Sequence, residues 1–196
     1  MTTVLITAAV VALLVILDQA VKLWATAVLA PVGAMPLIPG VVELRYYLND
    51  GAAFSSFSGQ QIFLIAFTSV AMLAIAAYLL IKRPARKLEY WAWVLVLAGG
   101  IGNWIDRVFN HQVVDYINFL FIRFAIFNLA DVLVCTGIGL LVLNLILEEL
   151  AAKKKASGEK NGWNDLNLWC SLSRRVNGLT GSWLPKPGFP AAPCSS

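Results

Sequence analysis

Long apolar runs separated by short polar connections dominate the chain. Four runs predict helices: Thr3 to about Leu29, Ile62 to Ile81, Tyr90 to about Val108, and Phe124 to Leu147. Each reaches or approaches the ~20 residues that a helix needs to cross a bilayer. The third is the least continuous, because Gly99, Gly100, Gly102 and Asp106 interrupt it. Between the first two runs, Glu43-Leu-Arg-Tyr-Tyr-Leu48 alternates with a two-residue period and enters Asn49-Asp-Gly51, which predicts a short strand and a turn. The first run has no basic start, and Asp18 and Lys22 interrupt its continuation, so it is expected to remain as a span rather than be removed as a leader.

Composition makes lipid the expected solvent: 59% of residues are hydrophobic, 13% are charged and mean hydropathy is +0.74, whereas soluble domains carry roughly 25% charged residues. Lys82, Arg83, Arg86 and Lys87 crowd the second connection and Lys153, Lys154 and Lys155 follow the last span, while the first and third connections carry only Arg45 and Arg123. Basic residues stay on the cytoplasmic side, so both termini are expected there, in a multi-pass arrangement. The basic tail reads as a topology signal, and no nucleic-acid partner is expected. Residues 1–152 are expected to form one transmembrane domain with an outer cradle at about 30–61. Residues 153–196, basic and then Pro/Gly-rich, are expected to form a disordered tail with no assigned role. Cys135, Cys170 and Cys194 show no disulfide or metal spacing, and His111 is the only histidine, so neither thiol chemistry nor a zinc site is expected.

This topology collects the unusual polar residues in one layer at the outer leaflet. Asp18 and Lys22 approach the outer end of the first span, and Asn103, Asp106 and Arg107 the outer end of the third. Asp115 and the Asn49 to Phe54 segment lie in the outer connections. Asp131 falls ~10 Å below the outer start of the fourth span if that helix begins at Phe124. Such a layer describes a site, whereas a conduction path strings polar groups through the whole thickness.

Each group also has a plainer reading. Asp18 and Lys22, four residues apart, share a helical face and are able simply to neutralise each other. Asn49 to Phe54 reads equally as a turn or as an edge that holds an extended peptide. The glycines before Asn103, Asp106 and Arg107 suit close helix packing around a buried polar clamp. Asp131 stands apart, because a carboxylate inside an uncharged span costs roughly 2.5 kcal/mol or more and needs a partner, a wet cavity or a task. Asp115 likewise lacks an obvious local cation. Two carboxylates brought together in a low-dielectric pocket share one proton, giving one base and one acid able to activate water against a peptide carbonyl. Continuous helix would hold the two aspartates ~24 Å apart. The dyad therefore demands that the chain turn back between Asp115 and Phe124.

In order, Asp18-Gln-Ala-Val-Lys22, Asn49-Asp-Gly-Ala-Ala-Phe54, Gly99-Gly-Ile-Gly-Asn-Trp-Ile-Asp-Arg107, Val113-Val-Asp115 and Phe127-Asn-Leu-Ala-Asp131 resemble the motif set of bacterial lipoprotein signal peptidases, or signal peptidase II. The resemblance covers about residues 5–150. It implies four transmembrane helices with a small β-like cradle and a short interfacial helix on the periplasmic side. It also implies an aspartic endopeptidase of the bacterial inner membrane that cuts prolipoproteins just before a diacylglyceryl-modified cysteine. Asp115 and Asp131 would be the catalytic pair. Asn103, Arg107 and Asn128 would orient it, with Asp106 and Ala130 in the supporting motifs, and Asp18, Lys22, Asn49, Gly51 and Phe54 would border the substrate channel. No metal or organic cofactor is implied. The expected partners are the lipidated precursors and membrane lipids, and the enzyme is expected to be a monomer. The chain departs from the family pattern in lacking a proline before Phe127-Asn128 and in placing Val132 after the second aspartate. Competing readings are a proton-coupled transporter, a non-catalytic assembly factor, and a serine protease using Ser55 or Ser56 with Lys22 as base.

Overall fold

The computed structural model describes residues 2–51, 59–84 and 86–180. In order, the elements are α1 (Thr2–Val32), β1 (Ala34–Ile38), β2 (Val42–Asn49), α2 (Gln61–Ile81), α3 (Lys87–Asn110), β3 (Val113–Phe119) and α4 (Leu129–Thr180). They fall into two compact units, residues 1–144 and 145–196. The architecture described below belongs to the first.

α1, α2 and residues 129–157 of α4 are long and apolar enough to cross a membrane. α3 is also long, but its glycines and polar residues dilute the apolar pattern. Burial runs opposite to that of a water-soluble protein. Leu13, Leu23, Phe67 and Val70 are exposed, whereas Asp18, Lys22, Asp106, Arg107, Asp115 and Asn128 are buried. Lipid satisfies the outer apolar surface, and the charged groups turn inward to meet each other. The protein is membrane-embedded.

The buried positions of α1 are Asp18, Lys22, Ala25 and Leu29, one stripe along a single helix face. From Thr7 to Lys22 it meets α3, and beyond that Ala25 and Leu29 pack with Val114 and Tyr116 of the sheet. Glycine allows the helices their close approach. A Cβ on Gly102 would sit 2.5 Å from Asp18 Oδ2 and 3.2 Å from Ala130 Cβ, and one on Gly137 of α4 would sit 2.6 Å from the Ala92 carbonyl of α3.

The sheet has the order β1-β2-β3, antiparallel throughout. β1 and β2 form a hairpin closed near Gly40, whose φ of +74° is the left-handed turn conformation that glycine adopts freely. β2 is the strand expected from the Glu43 to Leu48 alternation. β3 pairs with it across more than sixty residues of sequence, setting Tyr47 opposite Asp115 and Asn49 opposite Val113. His111, at φ +58°, ends α3 in a left-handed cap and redirects the chain into β3.

Two expectations need correction. The fourth helix starts at Leu129 rather than Phe124, because Phe127 is held in an extended bridge with Ile117. Asp131 therefore lies in the first turn of α4, not ~10 Å down a helix. The tail is helical through Thr180, where a disordered segment was expected. Ala, Lys, Glu and Leu favour helix there and no proline occurs before Pro185. No short interfacial helix occurs among the described residues, and Phe54, Ser55 and Ser56 lie outside them.

Candidate active site

The site begins with the first turn of α4. Four N–H groups at a helix start lack intrahelical partners, and buried ones need side-chain acceptors. Asn128 and Asp131 bond reciprocally: the Asp131 N–H donates to Asn128 Oδ1 at 3.1 Å, and the Asn128 N–H donates to Asp131 Oδ2 at 3.0 Å. This is a capping box with Asn and Asp in place of the commoner pair. The two N–H groups between them go elsewhere. Leu129 donates to the Tyr116 hydroxyl at 3.1 Å, and Ala130 donates to Asp18 Oδ1 at 3.0 Å. Its own capping box, β3 and α1 thus fix where α4 begins.

The required reversal of the chain is present. After β3, Phe127 exchanges backbone hydrogen bonds with Ile117 at 2.8 and 3.1 Å. Phe119 packs against Phe121, Phe124 and Phe127 with ring centroids 5.2 to 6.1 Å apart, which holds the return segment on the strand. Asn128 consequently lands beside Asp115. Its Nδ2 donates to Asp115 Oδ1 at 2.6 Å and to Asn103 Oδ1 at 3.1 Å. Asn103 in turn donates from Nδ2 to Asp131 Oδ1 at 2.7 Å. One asparagine side chain therefore bonds Asp115 while its backbone bonds Asp131, and a second asparagine closes the ring.

Asn49, at the end of β2, donates to the other Asp115 oxygen at 3.0 Å. Its own oxygen accepts the Gly51 N–H at 2.9 Å, the local bond by which an Asn stabilises a turn. The Gly51 carbonyl accepts from Arg107 Nη2 at 3.1 Å. Asp115 is 1% exposed. Burial, reinforced by the neighbouring Asp131 charge, pushes its carboxyl up to about 7. Burial likewise pushes the Tyr116 phenol up to about 12, so it stays a neutral hydroxyl under the α4 cap.

Behind this ring, Lys22 uses all three donors of its ammonium: Asp18 Oδ2 at 2.9 Å, Asp106 Oδ2 at 3.0 Å and Asn103 Oδ1 at 2.9 Å. Gln19 donates to Asp106 Oδ1 at 3.1 Å and to the Gly102 carbonyl at 3.1 Å. Asp106 also accepts the Val114 N–H at 3.3 Å, which ties the start of β3 to α3. Asp18 and Lys22 do pair as their spacing suggested, but within a larger network that reaches Asp131 through Asn103.

The structure brings together Asp18, Lys22, Asn49, Gly51, Asn103, Asp106, Arg107, Asp115, Asn128, Ala130 and Asp131, from α1, α3, α4 and two strands. Arg123 is exposed and takes no part among the described contacts. Sequence reasoning missed Gln19 and Tyr116. Gln19 is a polar residue in an apolar span and was findable by that signal. Tyr116 carried none, since its role depends on where α4 starts. Among the described residues no group of His, Cys, Asp or Glu could hold a metal ion.

A family model described as signal peptidase (SPase) II matches residues 10–147. Two lipoprotein signal peptidases of Streptococcus pyogenes, from serotypes M6 and M5, are each 44% identical over 140 residues, covering 70% of this chain and 90% of theirs. Two solved bacterial membrane enzymes superpose with TM-scores of 0.68 and 0.63, at 29% and 30% identity. They cover 73% and 71% of this chain and 88% and 91% of theirs.

Proposed function

The chain belongs to the signal peptidase II family, and we propose that it removes the signal peptide of prolipoproteins by aspartic chemistry at Asp115 and Asp131. The carrying observation is that Asn128 holds both carboxylates, Asp115 from its side chain and Asp131 from its backbone. Two carboxylates tied through one asparagine in a low-dielectric site favour holding a single proton between them. Burial favours that proton on Asp115. Asp131, at the positive end of the α4 dipole, then serves as the free carboxylate.

In the forward step Asp131 takes a proton from water as the water oxygen attacks the scissile carbonyl carbon, and Asp115 gives its proton to the carbonyl oxygen. The tetrahedral diol collapses as the carbon–nitrogen bond breaks. Asp131 returns its proton to the leaving amine and Asp115 recovers one from the diol hydroxyl, so the pair ends as it began. Asn49 and Asn128 hold the two Asp115 oxygens in place, and Asn103 holds Asp131. Asp18, Lys22 and Asp106 act one layer back by fixing Asn103 and the start of α4.

The cut falls just before the diacylglyceryl-modified cysteine, whose lipid stays in the outer leaflet while the peptide reaches the polar layer. The distribution of basic residues supports a cytoplasmic membrane location, both termini inside and the site towards the periplasm. A monomer suffices, because one chain supplies every group in the ring. Purified protein incubated with a lipidated prolipoprotein and an unlipidated control tests the reading: selective cleavage of the lipidated form supports it, and cleavage of neither or of both equally overturns it.

A further inference from the structure

On the side away from the polar layer, α1, α2 and α3 border a groove of about 470 Å³ that the catalytic reading does not use. Val4 and Ile16 mark its ends on α1, Tyr90 and Ile101 mark them on α3, and Leu80 faces it from α2. Its walls are apolar except for Thr7 and Tyr90, which bond each other at 2.6 Å. Thr7 donates its own proton to the Thr3 carbonyl at 2.9 Å, so Tyr90 is the donor and both hydroxyls are satisfied.

Size selects the occupant. The helix between Val4 and Ile16 is ~18 Å long. At the ~30 Å³ that one water takes up in the liquid, 470 Å³ holds roughly fifteen groups of that size, the scale of one fatty acyl chain. Charge selects the head group. Leu79 and Leu80 lead directly into Lys82 and Arg83, and Tyr90 stands three residues after Lys87; all three cations are exposed. At the opposite end Ile101 adjoins Gly102, which abuts Asp18.

We propose that this groove holds one acyl chain of an anionic phospholipid whose phosphate meets Lys82, Arg83 and Lys87. A signal peptide is the alternative occupant, but its basic start would meet the same cations. The lipid would lie in the leaflet opposite the catalytic layer, with its chain end at the foot of the Asp18 network.

Native mass spectrometry of full-length protein released from vesicles of equal phosphatidylglycerol and phosphatidylcholine tests this independently of proteolysis. The wild type should retain one phosphatidylglycerol per chain. Ala12→Phe, or Ala8→Phe should the first variant fail to fold, fills the groove and should lower retention at least tenfold while leaving prolipoprotein cleavage at saturating substrate intact. The triple variant Lys82→Gln, Arg83→Gln, Lys87→Gln should keep a lipid but lose its preference for phosphatidylglycerol, by about fivefold per charge removed. Equal retention by wild type and the filled variants overturns the proposal, as does a head-group preference unchanged in the triple variant. A raised KM for prolipoprotein in Ala12→Phe with lipid retention unchanged would assign the groove to the signal peptide instead.

Discussion

Lys22→Met removes the cation that Asp18, Asp106 and Asn103 share, and its cost follows from the surroundings. Lys22 is 2% exposed, and its two acidic partners are 1% and 2% exposed. Water therefore does not replace the lost ammonium. Deleting one member of a buried ion pair costs ~3–5 kcal/mol, because the remaining charge stays buried and uncompensated. Here each carboxylate keeps other donors, Asp18 from Ala130 and Asp106 from Gln19 and Val114, which places the expected loss at the lower end, ~3 kcal/mol. That is a large share of the ~5–15 kcal/mol of a typical fold. Asn103 also loses one of the two donors to its oxygen, so Asp131 is held less firmly and turnover should fall ~10- to 100-fold. The assay is reversible unfolding in mixed micelles, run on wild type, Lys22→Met, Asp18→Asn and the double variant. The pair should show a coupling of ~1.5–3 kcal/mol. A Lys22→Met loss below ~1 kcal/mol, or single losses that simply add, would refute the argument that this cation organises the buried network.

Further consequences concern titration, packing and the α4 cap. A folded Asp115 carboxyl near 7 against an unfolded value near 3.8 means that the folded state binds the extra proton, so stability falls as pH rises between about 4 and 7 and is level above. Asp115→Asn should abolish that slope, worth up to roughly 4 kcal/mol, in unfolding measured across pH, and wild-type turnover should decline above pH about 7 as the pair loses its proton. Gly102→Ala should destabilise by ~1–3 kcal/mol, because its Cβ would meet Asp18 Oδ2 at 2.5 Å, whereas Gly139→Ala meets open space and should be neutral or slightly stabilising in the same unfolding assay. Tyr116→Phe leaves the half-buried Leu129 N–H without its acceptor and should cost ~1 kcal/mol. Faster amide exchange at the start of α4 would locate the loss, and unchanged exchange there would argue against the cap.

The apolar runs made the long helices legible, since burial in lipid leaves little freedom in how twenty such residues fold. The Glu43 to Leu48 alternation likewise exposed β2. β3 was harder, because Val113-Val-Asp-Tyr-Ile-Asn-Phe119 is buried at its start and does not alternate cleanly, and its partner lies far away in sequence. The start of α4 was misplaced because Phe124 to Phe127 is as apolar as the helix that follows. What stops the helix is tertiary: the Phe127 bridge to Ile117 and the aromatic cluster on Phe119. In the site, residues with a formal charge announced themselves by their cost in an apolar span. The neutral Gln19 gave a weaker signal of the same kind, and Tyr116, outside the spans, gave none, although Gln19 bonds the buried Asp106 and Tyr116 caps α4. The tail shows the opposite limit: its composition permits helix or disorder, and spacing did not choose between them.

The most direct measurement of the central claim is cleavage of a lipidated prolipoprotein by Asp115→Asn and Asp131→Asn, each shown by its unfolding curve to be folded. Two carboxylates sharing one proton predict that each variant loses at least ~1,000-fold in turnover and that the double variant is little worse than either single one. Turnover near the wild-type rate in either variant, with folding intact, would contradict the shared-proton pair.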